Sequence, residues 1–261
     1  MPAGGHRPPA ARPRSVPVVE HLPRSGDFLF RWRSYLPLAL LPLLAVGLLA
    51  RHYPFHPPAL DRAWKIGCAL IAAAGVALRI YTVGTAAPGT SGRNTREQKA
   101  VELNTTGAYS VVRHPLYLAN YLIALGIGMF TRAWFVPVIL SLAAALYYER
   151  IAAREEEFLS ERFGATFRAW AARVPAIIPA FGGFRPAALP FRWRVAVVRE
   201  YYAVSTVTTL LFGLDLVEDY IATGHPWPDP ISTTLFVLGG AFFVTIRTLK
   251  KWTRFFASHP R

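Results

Sequence analysis

Apolar residues gather in long runs along this 261-residue chain, and short polar or basic stretches separate them. A helix needs about 20 predominantly apolar residues to cross the hydrocarbon core of a bilayer. No segment shows the apolar–polar alternation that is typical of a strand. The pattern therefore predicts an all-α fold, a polytopic transmembrane helix bundle of about six spans, of which the third is short. The predicted spans cover roughly residues 35–50, 64–83, 115–130, 134–148, 201–220 and 232–249.

The net charge and the apolar runs together distinguish a membrane protein from a nucleic-acid binder. The chain is 53% hydrophobic and yet carries a net charge of +14. A soluble nucleic-acid binder would not concentrate its apolar residues in long runs, so we expect the bilayer, and no nucleic acid, as a partner. With the N-terminus inside, 24 of the 29 lysines and arginines lie on the inner side. This asymmetry predicts an integral protein of the bacterial inner (plasma) membrane with both termini cytoplasmic.

The chain divides into three segments by composition. Residues 1–30 are rich in proline and arginine, lack the apolar core of a signal peptide, and predict a disordered basic arm. Residues 31–199 form the predicted membrane core, and residues 200–261 add two C-terminal transmembrane helices and a basic tail. Within the core, the lone cysteine Cys68 predicts a buried thiol, and Gly75 predicts close helix packing. The sequence does not indicate the oligomeric state.

A few charged residues interrupt the apolar runs. Arg79 lies near one end of the second run, from where its side chain is expected to reach the interface. Asp215, Glu218 and Asp219 share one face of the fifth run, and acids within a span are candidates for function. We expect instead that this span ends early and that these acids lie in the outer interface. No histidine or cysteine cluster has the spacing of a metal site, so no metal ligand is assigned.

The stretch from Gly107 to Tyr121 carries the first group of candidate functional residues. Pro115 suits the first turn of a helix, which places His114 near the N-cap and Arg113 at the entrance. Free backbone N–H groups and the positive end of the helix dipole favour an anionic group there. The alternative is an interfacial belt, in which the arginine reaches the headgroups and the tyrosines lie at headgroup level.

Glu155 and Glu156 lie on a predicted extension of the fourth helix beyond the membrane. Gly164 is expected to end that helix, and Phe167 and Trp170 then recur at helical spacing. The alternative is an amphipathic helix in the interface, with solvated charges and with aromatic side chains that dip into lipid.

Together the two groups resemble the isoprenylcysteine carboxyl methyltransferase family and the related phospholipid methyltransferases, over about residues 65–181. That family pairs a Gly-x-Tyr-x-x-x-Arg-His-Pro-x-Tyr block with a second block of Glu-Glu-x-x-Leu, Phe-Gly, Val-Pro and Pro. Phe167 and Trp170 depart from it, since tyrosines are frequent there, and Asn120 stands where small residues are common. The matching residues are Gly107, Tyr109, Arg113, His114, Pro115 and Tyr117 in the first block, and Glu155, Glu156, Leu159, Phe163, Gly164, Val174, Pro175 and Pro179 in the second.

The resemblance implies S-adenosyl-L-methionine as the cofactor, in a pocket of helix ends at the cytoplasmic face that a helical segment over 163–181 roofs. It implies methyl transfer to a lipid-like or prenylated acceptor through a carboxylate, an amine or a phosphate. No Gly-x-Gly-x-x-Gly pattern follows a strand, so a Rossmann site is not expected. The expected catalytic residues are Arg113, Glu155 and Glu156. The expected cofactor-binding residues are Thr105, Gly107, Tyr109, His114, Pro115, Tyr117, Trp170 and Pro175.

Two other functions stay open at this point. Membrane sterol reductases resemble this helical core and use NADPH or a related nicotinamide cofactor, although they are usually larger. A small permease or a membrane scaffold would bind neither cofactor tightly. Transporters more often show internal repeats, and we find none in this sequence.

Overall fold

The computed structural model describes residues 36–50, 58–88, 90, 101–253 and 255–256. This part of the chain contains six α-helices and no strand, which confirms the predicted helical membrane bundle. The predicted arm over 1–30 and the last residues of the basic tail lie outside the described residues. The helices are α1 (Leu40–Ala50), α2 (Pro58–Thr85), α3 (Pro115–Phe130), α4 (Phe135–Ala171), α5 (Trp193–Thr223) and α6 (Pro230–Trp252).

The helices differ in how well they suit a bilayer. By length and composition, α2, α4 and α6 can cross a membrane, while α1 and α3 are apolar but shorter. Helix α5 has 31 residues, but it carries charged side chains such as Glu200, Asp215 and Glu218 along its length. Of the six spans expected from the sequence, three are therefore supported by length and composition among the described helices.

Small residues let α2 and α3 pack with their backbones close together. A Cβ atom added at Gly75 would lie 2.6 Å from the carbonyl oxygen of Ala119, and one added at Gly126 would lie 2.5 Å from that of Cys68. Cys68 itself is buried, as its position in an apolar run predicts. The close approach fixes how α3 sits on α2, and α3 carries the candidate site at its N-terminus.

A buried ionic network lies beside the opposite end of α3. Asp215 is fully buried, accepts from Lys65 Nζ at 2.6 Å, and also binds the hydroxyl of Ser232 on α6. Glu218 pairs with Lys65 and with Arg132, which lies in the turn between α3 and α4. The prediction that these acids lie in the outer interface stays a prediction, and cations from neighbouring elements hold the carboxylates of Asp215 and Glu218 inside the bundle.

Arg79 departs from the prediction that its side chain reaches the interface. Its guanidinium pairs with Glu200 of α5 and does not reach away from the bundle toward the interface. A local pattern cannot reveal such a partner, since Glu200 lies 121 residues along the chain.

Substituting Gly75 by alanine tests the close packing of α2 on α3. The new methyl group would meet backbone atoms that cannot move independently, so we expect a loss of about 1–3 kcal/mol in the free energy of unfolding. Gly67→Ala is the matched control, because it lies in the same helix and its added Cβ meets nothing within 4 Å. Thermal unfolding of both variants in detergent measures the difference. Equal melting temperatures would contradict the packing described here.

Candidate functional site

The start of α3 points an imidazole at two carboxylates. His114 is the N-cap residue and makes no capping hydrogen bond with its side chain, while Pro115 occupies the first turn. The ring is therefore available to other partners. Its Nε2 atom lies 2.8 Å from Oε1 of Glu156, and its Nδ1 atom lies 3.5 Å from Oε2 of Glu155.

The two glutamates reach this point because α4 runs back along α3 after a tight turn and continues far beyond it. Glu156 also accepts from Nη1 of Arg113 at 2.7 Å, and Glu155 accepts from the hydroxyl of Tyr117 at 2.8 Å. Residues some 40 positions apart thus form one cluster, which we call the acid–base cluster: Arg113, His114, Tyr117, Glu155 and Glu156. The three expected catalytic residues and two of the expected cofactor-binding residues lie within it.

His114 is cationic in this environment. Burial of the ring lowers its pKa, but the hydrogen bonds to Glu155 and Glu156 and the charges of both outweigh burial and raise the pKa to about 9. At neutral pH the acid–base cluster then holds two cations against two carboxylates. Such a balanced group can be buried without a large uncompensated charge.

Arg113 retains an unused donor. Its Nη1 atom serves Glu156, whereas its Nε atom is buried and has no hydrogen-bond partner among the described residues. An unsatisfied buried N–H is costly. The guanidinium can therefore give that hydrogen bond to an anionic ligand.

Aromatic rings stack beside the acid–base cluster. The ring of His114 stacks on Tyr117 with centroids 5.3 Å apart, and Tyr117 stacks on Tyr148 at 5.0 Å. The sequence analysis did not select Tyr148. It lies seven residues before Glu155, two helical turns along α4, and that spacing on one face could have indicated it.

The chain after the charged part of α4 folds over the first motif. Helix α4 is broken at Gly164, which has φ of 53°, and a helical segment continues to Ala171. The first helical segment of α4 therefore stops at Gly164, as predicted, and a second segment follows it. Phe167, Trp170 and Val174 form a small apolar core that packs against Tyr109.

Main-chain hydrogen bonds then hold the following segment, which we call the roof (residues 172–190), against the first motif. The N–H of Arg113 donates to Pro175 at 2.9 Å, the N–H of Ala180 donates to Val111 at 2.9 Å, and the N–H of Gly107 donates to Arg185 at 2.9 Å. The roof is thus joined to the loop that leads into α3 at three separate points.

The other expected cofactor-binding residues lie around the acid–base cluster. Trp170 is 6% exposed and donates its indole N–H to the carbonyl of Tyr109 at 3.2 Å, so its described contacts support the turn. Burial and the charge of Glu155 raise the pKa of the Tyr109 phenol.

The remaining expected cofactor-binding residues differ in their contacts. Pro115 and Gly107 are buried, and the carbonyl of Pro175 accepts from the N–H of Arg113. Thr105 is half-buried, and no described contact joins it to the acid–base cluster.

Within the described residues, no group of three or more histidine, cysteine, aspartate or glutamate side chains is placed to hold a metal ion. The acid–base cluster instead brings together two cations, two carboxylates and a stack of electron-rich rings.

The raised pKa of His114 predicts how stability depends on pH. The folded-state pKa of about 9 exceeds the ordinary value of 6.5. The imidazolium therefore stabilises the fold fully below about pH 6.5, and this stabilisation is lost as the pH rises through 9; its full size is on the order of 3 kcal/mol. Melting temperatures between pH 6 and 10 should fall for the wild type. His114→Gln should lack that component, and parallel curves for the two proteins would contradict the assignment.

Comparison with known proteins agrees with the site geometry. The family model described as phospholipid methyltransferase matches residues 64–166, which include Arg113, His114, Tyr117, Glu155 and Glu156. No solved structure matches the chain significantly.

Two relatives have names from metal resistance. The nickel-cobalt-cadmium resistance protein NccN of Alcaligenes xylosoxydans xylosoxydans is 34% identical over 161 residues, which are 61% of this chain and 70% of that protein. The cobalt-zinc-cadmium resistance protein CzcN of Cupriavidus metallidurans is 41% identical over 83 residues, 32% of this chain and 38% of that protein. The family model covers all five residues of the acid–base cluster, and the chain belongs to the phospholipid methyltransferase family.

Proposed function

We propose that this protein transfers a methyl group from S-adenosyl-L-methionine to a lipid-like or prenylated acceptor at the cytoplasmic face of the membrane. The observation that carries the proposal is the acid–base cluster, in which Glu155 and Glu156 hold Arg113, His114 and Tyr117 in one arrangement. The family match supports the reaction class. The cofactor, the acceptor and the residue roles are our inference.

The residues present fit a sulfonium cofactor. The stack of Tyr117 and Tyr148 puts electron-rich rings next to the charged groups, and a cation close to such a ring gains about 0.5–2 kcal/mol when it reaches a free face. The cofactor supplies an activated methyl group when bound. The chain then has to align the acceptor with that methyl group and exclude water. We assign cofactor contacts to His114 and Tyr117 and to the backbone from Thr105 to Tyr109.

The charges favour an acceptor that is already an anion. An amine acceptor has to lose a proton, but His114 is cationic up to about pH 9 and cannot take one. Both glutamates already accept hydrogen bonds from the cluster. A carboxylate or a phosphate oxygen needs no base, and the unused Nε–H of Arg113 can bind it. We therefore place the anionic acceptor group on Arg113.

Exposed apolar side chains on the roof support a lipid-borne acceptor. Ile178 is 79% exposed and Phe181 is 75% exposed, and Ile177 and Phe184 lie exposed in the same segment. The roof is bonded directly to the backbone of Val111 and Arg113. A hydrocarbon chain lying against these side chains would keep its polar end close to the acid–base cluster.

The relatives' names suggest a setting for this reaction. We propose that the methyl transfer contributes to metal resistance; the name of NccN states resistance to nickel, cobalt and cadmium for that protein.

Removing the hydroxyl group of Tyr117, on α3, tests the proposed cofactor site. Tyr117→Phe removes the hydrogen bond that fixes Glu155 before a ligand binds. The variant has to order this carboxylate on binding, so we expect the Kd for S-adenosylhomocysteine to rise about tenfold. Tyr121→Phe is the matched control, since its hydroxyl lies 2.8 Å from Ser141 on the same helix pair but outside the cluster. Calorimetric titration of detergent-purified protein measures both. Binding of NADPH and not S-adenosylhomocysteine would overturn the proposal in favour of a reductase.

A complementation experiment tests whether the protein contributes to metal resistance. In an Alcaligenes xylosoxydans strain that lacks NccN, we expect the wild-type chain to restore growth in nickel salts. Glu156→Gln should not restore it, because the amide cannot hold both His114 and Arg113 as a carboxylate does. Equal rescue by wild type and variant, at equal protein levels in the membrane, would show that methyl transfer is not the cause of resistance.

A further inference from the structure

Helix α5 buries a carboxylate inside the bundle, next to the candidate site. Glu200 is 3% exposed and accepts from Nε of Arg79 on α2 at 2.6 Å and from Nη2 at 3.1 Å. The third nitrogen, Nη1, donates to the side-chain oxygen of Asn120 on α3. All three nitrogens of one planar guanidinium are therefore used, and they join α2, α3 and α5.

Such an ion pair is expensive among apolar helices. Removing two charges from water costs several kcal/mol per ion, and the mutual attraction repays this only with good geometry. Ionisable groups within a membrane bundle are functional candidates for that reason. The two-pronged contact of Arg79 with Glu200 supplies the geometry, and its rigidity fixes the direction in which Nη1 points at Asn120.

Asn120 connects this pair to the acid–base cluster. It follows Tyr117 by three residues, so the two side chains lie on the same face of α3. The Asn120 amide lies near the Tyr148 hydroxyl. The Tyr148 ring stacks on Tyr117, which stacks on His114. Asn120 thus lies between the Arg79–Glu200 pair and the ring stack that ends at the imidazole.

Two members of this connection lie outside what the family resemblance explains. Glu200 belongs to α5, beyond the matched residues 64–166. Asn120 stands where the family commonly has small residues. Asn120, which departs from the family pattern, and Glu200, which lies on the helix beyond the matched residues, therefore both bind the guanidinium of Arg79.

We propose that Glu200 is a positioning residue for the methyltransferase site. By locking Arg79, it orients Asn120 and the Tyr148 ring, and this ring supports the Tyr117–His114 stack. The inference rests on the proposed function for its effect on the cofactor, but the arrangement of His114 can be measured without a cofactor. On this view α5 is part of the enzyme core and not an accessory helix.

The test compares two buried carboxylates on α5 that both pair with an arginine. Glu200→Gln alters the link to Arg79, and Glu218→Gln alters the pairing with Arg132 at the other end of the helix. Both variants should lose thermal stability. Full-length protein labelled with ¹⁵N-histidine, purified in detergent, gives the His114 ring resonances, which are assigned by their absence in His114→Gln. Titration with S-adenosylhomocysteine gives the Kd.

We expect Glu200→Gln to shift the His114 resonances and to raise the Kd about fivefold or more. Glu218→Gln should leave both unchanged. Equal behaviour of the two variants in both measurements would overturn the inference. If wild type binds no S-adenosylhomocysteine, the proposed function fails, and the His114 resonances alone still decide the positioning role.

A second variant covers the case in which Glu200→Gln does not fold. Asn120→Ala keeps the Arg79–Glu200 pair and removes the amide that accepts from Arg79 Nη1 and lies beside Tyr148. Shifted His114 resonances in this variant would support the proposal, and unmoved resonances would overturn it.

Discussion

Two carboxylates near the end of one membrane helix hold an arginine and a protonated histidine at the start of another. Glu155 and Glu156 cannot be moved from Arg113 and His114 without leaving buried charge uncompensated, which costs several kcal/mol. This constraint joins α3 to the extension of α4. It also keeps the site electrically balanced before any ligand arrives, so that the cationic cofactor and the anionic acceptor that we propose would compensate each other.

The rest of the bundle supports that arrangement from three sides. The close approach of α2 to α3 fixes where the N-terminus of α3 lies along α2. The roof covers the loop that precedes this N-terminus. On the third side, Arg79 and Glu200 bring α5 against the same helix. The ionic network around Asp215 is separate, beside the other end of α3, and holds α5 and α6 to the start of α2.

The sequence predicted the parts of the site that depend on local rules. Pro115 marked the start of α3, and helical spacing put Tyr117 on its face. The same rule would have indicated Tyr148, two turns before Glu155. The ion-pair partners of Arg79, Asp215 and Glu218 were not predicted, because a charge in an apolar run looks like an interface residue until its partner is known. Those partners lie on other helices, and no local periodicity gives their relative rotation.

The roof is attached through main-chain atoms of Pro175, Ala180 and Arg185, while its apolar side chains point away from these bonds into exposed positions. Side chains such as Ile178 and Phe181 can therefore be exchanged without breaking what anchors the segment. On the function proposed above, surface substitutions alone would change the hydrocarbon part of the acceptor. The charged cluster would stay the same, so the range of acceptors could change without altering the residues that we assign to the chemistry.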